Sequence, residues 1–171
     1  MGIWLAFAGL GLNGLSGNAL SPAEIESAFP SLVGSGWVPT SLPDPAYNCI
    51  AWAAGEQTRF WWPTRGGYWP PGAPRDRTLG AFVAAYRTKG YELCANWTFD
   101  PTQEKIAIFT KGGAPTHAAR QLDDGKWWTS KLGVHDDISH DQDGLNGDQY
   151  GAPAVFMSRP RPGGPIPSPT A

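Results

Sequence analysis

Cys49, His117, Ser130 and Asn48 are the residues of this chain whose types and spacing suit chemistry. Cys49 opens the run Cys49-Ile50-Ala51-Trp52-Ala53-Ala54-Gly55, which follows the Pro-broken Leu42-Pro43-Asp44-Pro45. An apolar, Ala-rich run in that setting reads as a buried helix with the thiol in its first turn. Free N–H groups and the helix dipole stabilise a thiolate there, lowering a cysteine pKa from about 8.5 toward neutrality. Thiol catalysis also needs a base within reach and a group that orients the base. His117, flanked by the small residues Thr116, Ala118 and Ala119, is the candidate base. The turn at Asp124-Gly125 brings Thr129, Ser130 and Lys131 back beside residues 118 to 120. Ser130 is therefore the expected orienter, with Asp136 and Asp137 as carboxylate alternatives. Asn48 is expected to donate its amide to an oxyanion together with the Cys49 N–H, in competition with a role as helix N-cap.

Around these residues lies an aromatic, Pro-broken stretch, Phe60-Trp61-Trp62-Pro63 and then Gly66-Gly67-Tyr68-Trp69-Pro70-Pro71. Proline removes donors and fixes φ, so this stretch reads as an ordered loop draped on the core. Trp62 and Trp69, with Trp52, are the expected substrate wall; burial against a core short of aliphatic side chains competes with that role. His135 to Asp143 holds two histidines and four aspartates. Their spacing suits neither a calcium loop nor a zinc signature, so the segment reads as a hydrated loop and no metal or other cofactor is expected.

The elements that must position these groups are legible in part. Ser21-Pro22-Ala23-Glu24 is a capping box that starts a helix over 22–29, ended by Pro30. Thr78 is the N-cap of a helix over 79–87, with Gly90 just past its end. The later half reads as strands over 91–94, 105–110, 116–122, 126–132 and 154–157. Residues 31–47 read as loop, 133–151 as polar and irregular, and 159–171 as a Pro-rich extended or disordered tail.

Composition bounds the function classes. The chain has 171 residues, enough for one domain with its own core. A formal net charge of −2 gives no basic face for nucleic acid. The apolar stretch at 1–12 lacks a basic start and a clean cleavage site, and is too short to span a bilayer. It reads as a segment packed on the core of a cytoplasmic rather than an exported protein. The two cysteines make no disulfide framework; a bridge from Cys49 to Cys94, permitted by the spacing in an exported protein, would remove the nucleophile.

The blocks Tyr47-Asn48-Cys49-Ile50-Ala51-Trp52-Ala53-Ala54-Gly55, Thr116-His117-Ala118-Ala119-Arg120-Gln121-Leu122 and Trp128-Thr129-Ser130-Lys131-Leu132-Gly133 resemble an uncharacterised bacterial domain family. The match continues through Asp137-Ile138-Ser139-His140 and covers about 45–158. In chain order alone, cysteine on a helix start and histidine on a later strand, the sequence is also similar to papain-like cysteine hydrolases. Pro43 departs from that pattern, because papain-like enzymes carry an oxyanion glutamine six residues before the nucleophile. This second resemblance implies an α+β fold, with N-terminal helices packed on an antiparallel sheet of four to five strands. The expected organisation is an apolar segment at 1–20, one domain at 21–158 and a tail at 159–171. The expected function is a thiol-dependent hydrolase or acyltransferase acting on an amide or peptide bond. A non-catalytic interaction module with a Trp-rich surface is the alternative.

Overall fold

The computed structural model describes residues 19–166. Helix α1 (Pro22–Ala28) begins at Ser21, whose hydroxyl accepts from the Glu24 N–H while the Glu24 carboxylate accepts from the Ser21 N–H, as the capping box requires. A 3₁₀ turn at Pro30–Leu32 follows, then strand β1 (Val38–Pro39). Helix α2 (Cys49–Ala53) and helix α3 (Leu79–Arg87) come next, α3 capped by the Thr78 hydroxyl. The rest is strand: β2 (Glu92–Cys94), β3 (Gln103–Lys111), β4 (Ala114–Gln121), β5 (Trp128–Lys131), β6 (Asp137–His140) and β7 (Ala152–Pro160).

All of these strands join one antiparallel sheet of seven, in the order β1-β6-β5-β4-β3-β7-β2. The expected papain-like α+β arrangement is therefore corrected: the chain is largely β, and its three α-helices have seven, five and nine residues. Two strands fall where loop was expected. β1 is too short to leave a pattern, and β6 hides its alternation because its residues are polar yet buried. β7 does not close an edge; it inserts between β3 and β2. It also carries Arg159 and Pro160, and Arg161 donates to the Gln103 carbonyl and the Asp123 carboxylate, so the expected tail starts as part of the sheet. The apolar segment at 1–18 lies outside the described residues.

The core sits on both faces of the sheet. Ile106 and Ile108 of β3 and Ala118 of β4 face one layer, built from α2, α3 and the aromatic loop with Trp61, Trp62 and Trp69. Ala107, Phe109 and Ala119, one residue along, face a second layer with Ile25, Phe29, Leu32, Trp128, Ile138 and Tyr150. Period-two alternation thus sends neighbours on β4 to opposite layers. Both faces being covered explains why the middle of β3, Ile106 to Phe109, is apolar without alternation.

The second layer is closed by a narrow loop in which Gly147 and Gly151 exchange backbone hydrogen bonds of 2.8 and 2.7 Å, with Tyr150 between them. Gly151 has φ 77°, and a Cβ there would lie 1.9 Å from the Thr110 carbonyl oxygen. Gly151→Ala is expected to cost about 2 kcal/mol or more, from strain and from displaced backbone. Gly113→Ala, at φ 81° but with open space around it, should cost only about 1 kcal/mol. Urea unfolding midpoints compare the two; equal losses would mean that the close approach does not matter.

Candidate active site

Asn48 fixes the start of α2. Its Oδ1 accepts from the Ala51 N–H at 3.2 Å and the Trp61 N–H at 3.2 Å, and its Nδ2 donates to the Trp61 carbonyl at 2.8 Å. The side chain is fully buried; its oxygen is used for the helix cap and the aromatic loop, and one of its two amide N–H groups for the Trp61 carbonyl.

Cys49 follows, 1 % exposed, its thiol free. β4 and β5 pair only at Arg120↔Thr129 and Gln121↔Trp128, and toward His117 the ladder between them stops. The backbone N–H groups of Ala118, Ile50 and Cys49 itself lie near the sulfur there. These contacts and the nearby Lys131 favour the thiolate, but burial outweighs them and pushes the thiol up to about 12. A five-residue helix adds little dipole. The expected ionised sulfur is therefore corrected to a neutral thiol in this closed arrangement.

His117 lies one residue from the sulfur's backbone contact, yet its ring turns into the other layer. It stacks on Tyr150 with centroids 4.1 Å apart and planes 7° from parallel, and meets the edge of Phe109 at 5.3 Å. Its Nε2 bonds the Ser130 hydroxyl at 2.9 Å, and the same hydroxyl bonds Nε2 of His140 at 2.8 Å. His140 Nδ1 in turn meets the Asp141 carbonyl at 2.6 Å. His117, Ser130 and His140 are all fully buried. Nδ1 of His117 is buried with no hydrogen-bond partner among the described residues, and the ring lies in the layer opposite the one that holds Cys49. Desolvation lowers His117 well below its ordinary value, aided by His140, and brings His140 down to about 4.

Ser130 thus stands where the hairpin register implied, while the carboxylate alternatives do not reach the ring. Asp137 accepts from the Tyr47 hydroxyl at 2.8 Å and faces the Lys131 ammonium at 3.9 Å; Asp136 accepts from the Leu20 N–H at 3.1 Å. Two participants escaped sequence reasoning. His140 was absorbed into an acidic segment, although its place two residues after Ile138 is a strand signal. Lys131 is fully buried over the Tyr47 ring and donates to the His135 carbonyl. Burial lowers its pKa, against the raising effect of Asp137.

The expected substrate wall is largely corrected to core. Trp62 packs edge-on against Phe82, and so does Trp69, whose indole N–H donates to the Pro74 carbonyl. Trp52 is half-buried; its indole donates to the Thr129 hydroxyl at 3.2 Å and Arg120 lies over its ring.

Residues 39–158 match the family model of DUF7689, a domain of unknown function. The chain belongs to this family. No curated protein and no solved structure matches it. All four residues Cys49, His117, Ser130 and His140 fall inside the matched span. Among the described residues no helix is long and apolar enough to cross a membrane.

The neutral histidines carry a pH signature. A folded-state pKa of about 4 for His140, against 6.5 for the ordinary group, means that the unfolded chain binds more protons in that interval. Stability should be constant above about pH 6.5 for this group and fall toward pH 4, by on the order of 3 kcal/mol. His117 adds to the loss in the same direction. Denaturant midpoints measured across that range check this, and His140→Gln should flatten the slope.

Proposed function

We propose that this domain is a thiol-dependent hydrolase or acyltransferase acting on an amide or peptide bond, with Cys49 as nucleophile and His117 as base. The observation that carries the reading is the unpartnered ring nitrogen of His117, buried one residue along β4 from Ala118, whose backbone lies near the Cys49 sulfur. An orphaned acceptor in a dry interior is costly, and natural cores seldom keep one without use for it. The acid this reading pairs with it is the Cys49 thiol, which packs in the same layer as the neighbouring strand residue Ala118.

The resting pair is neutral. When an acyl group enters, the thiol proton passes from Sγ to His117 Nδ1 and the sulfur attacks the carbonyl carbon. The expected oxyanion donors are the Cys49 N–H and the second amide N–H of Asn48. The amine departs with the proton from Nδ1, leaving a thioester, and water or an acceptor nucleophile releases the acyl group with His117 again as base. Lys131 and the N–H groups of Ala118 and Ile50 favour the charge that develops on sulfur. Access requires the two layers to part near the end of the β4–β5 ladder, because Cys49 and His117 are both sealed.

Complete burial of the thiol also favours a second reading, a non-catalytic interaction module. Among the described residues, Trp61, Trp62 and Trp69 lie inside, and Trp97 is exposed.

In a Cys94→Ser background, alkylation of Cys49 by iodoacetamide at pH 7 should fall about tenfold or more in His117→Ala. Thioester-forming acyl donors should add one acyl group at Cys49, read by intact mass. Alkylation indifferent to His117, with no acyl adduct, would leave the interaction module as the better reading.

A further inference from the structure

The order of protons along the buried chain of side chains can be worked out from its far end. A carbonyl oxygen only accepts, so the 2.6 Å contact from Asp141 puts a hydrogen on Nδ1 of His140. A neutral ring then carries a lone pair on Nε2. Ser130 has one proton, and at 2.8 Å it donates to that lone pair. Its oxygen is left to accept at 2.9 Å from His117, which must therefore carry its hydrogen on Nε2. What remains on His117 is an unprotonated Nδ1, the nitrogen that has no partner.

We infer that His140 is a positioning residue of this site: through Ser130 it holds His117 in the one tautomer that leaves Nδ1 free to take a proton. The inference rests on the reading of His117 as the base for Cys49. Ring stacking supports it. With Tyr150 flat on one face and Phe109 at the edge, the His117 ring cannot readily turn over to exchange its two nitrogens. The opposite tautomer would set two lone pairs facing across the Ser130 contact, or oblige Ser130 to abandon His140. A packing role alone would be met as well by apolar side chains, since replacing a buried polar set of matched shape is often neutral for stability. Serine, the second member of the chain, is small and can both accept and donate, which an orienting carboxylate cannot do when ionised.

The test is the full chain labelled with ¹⁵N in its three histidines, with long-range ¹H–¹⁵N correlation at pH 7 to read which ring nitrogen is protonated. The expected result is Nε2–H for His117 and Nδ1–H for His140. His140→Gln, whose amide oxygen accepts from Ser130, should leave His117 unchanged. His140→Leu should convert His117 wholly or partly to Nδ1–H and lower Cys49 alkylation by about tenfold or more. A wild-type His117 protonated on Nδ1, or a tautomer indifferent to His140→Leu, would overturn the inference. If the leucine variant fails to fold, the wild-type pattern decides alone. The expected tautomers beside a Cys49 indifferent to His117→Ala would overturn the thiol reading instead, so the two failures are distinct.

Discussion

The hydrogen bond between His117 and Ser130 is the contact on which the arrangement of this protein's second layer turns. A neutral imidazole in a dry interior has one proton and one lone pair to place, and water is not there to take either. Ser130 takes the proton of His117 and passes its own to His140, and the Asp141 carbonyl ends the sequence. Three adjacent strands, β4, β5 and β6, are thereby tied by side chains where the β4–β5 ladder has already stopped. The same bonds that compensate the missing ladder fix the histidine's chemistry.

On the helix side, a comparable economy centres on Asn48. One amide caps α2 and clasps the Trp61 backbone, so the helix start and the aromatic loop are set by one side chain. Placing Cys49 then follows from covalent geometry. It lies near the β4 backbone at Ala118, past the last paired residues of β4 and β5. The buried Lys131, Asp137 and Tyr47 line the same side. A cation and an anion sealed together are weak evidence for stability, because the desolvation of each charge offsets their attraction. Of the three, Lys131 acts on the sulfur, favouring its charged form.

Local signals were readable where the chemistry of a turn or cap is carried by its own residues. The Ser21 capping box, the Thr78 cap and the Asp124-Gly125 hairpin belong to this kind. The register across that hairpin placed Ser130 near His117, because a short turn fixes which residues face each other. Strand β6 was not readable, since Asp137, Ser139 and His140 look solvated in sequence and are buried only by partners about 10 to 100 residues away. Nor was the fold class. Cysteine on a helix followed by histidine on a strand fixes an order along the chain, whereas the layer each side chain enters depends on β4's phase in the sheet. Ala118 faces the cysteine and His117 faces away. A one-residue shift would have reversed this, and nothing local distinguishes the two phases.

That phase also bears on why the pair rests neutral. An ion pair of thiolate and imidazolium would have to be stabilised across the plane of the sheet in a medium that penalises both charges, and burial moves each group the other way: thiol up, imidazole down. Neutrality is the resting state that burial favours for each group. Admitting solvent or an acyl group at the end of the β4–β5 ladder would relieve the desolvation of both at once. The two pKa values would then move toward each other, and proton transfer would become favourable only when the site is occupied or open. A sealed thiol is consequently no argument against a reactive one, provided that the fold can part at this seam; the strands that would have to move are the pair joined by the fewest ladder partners in the middle of the sheet.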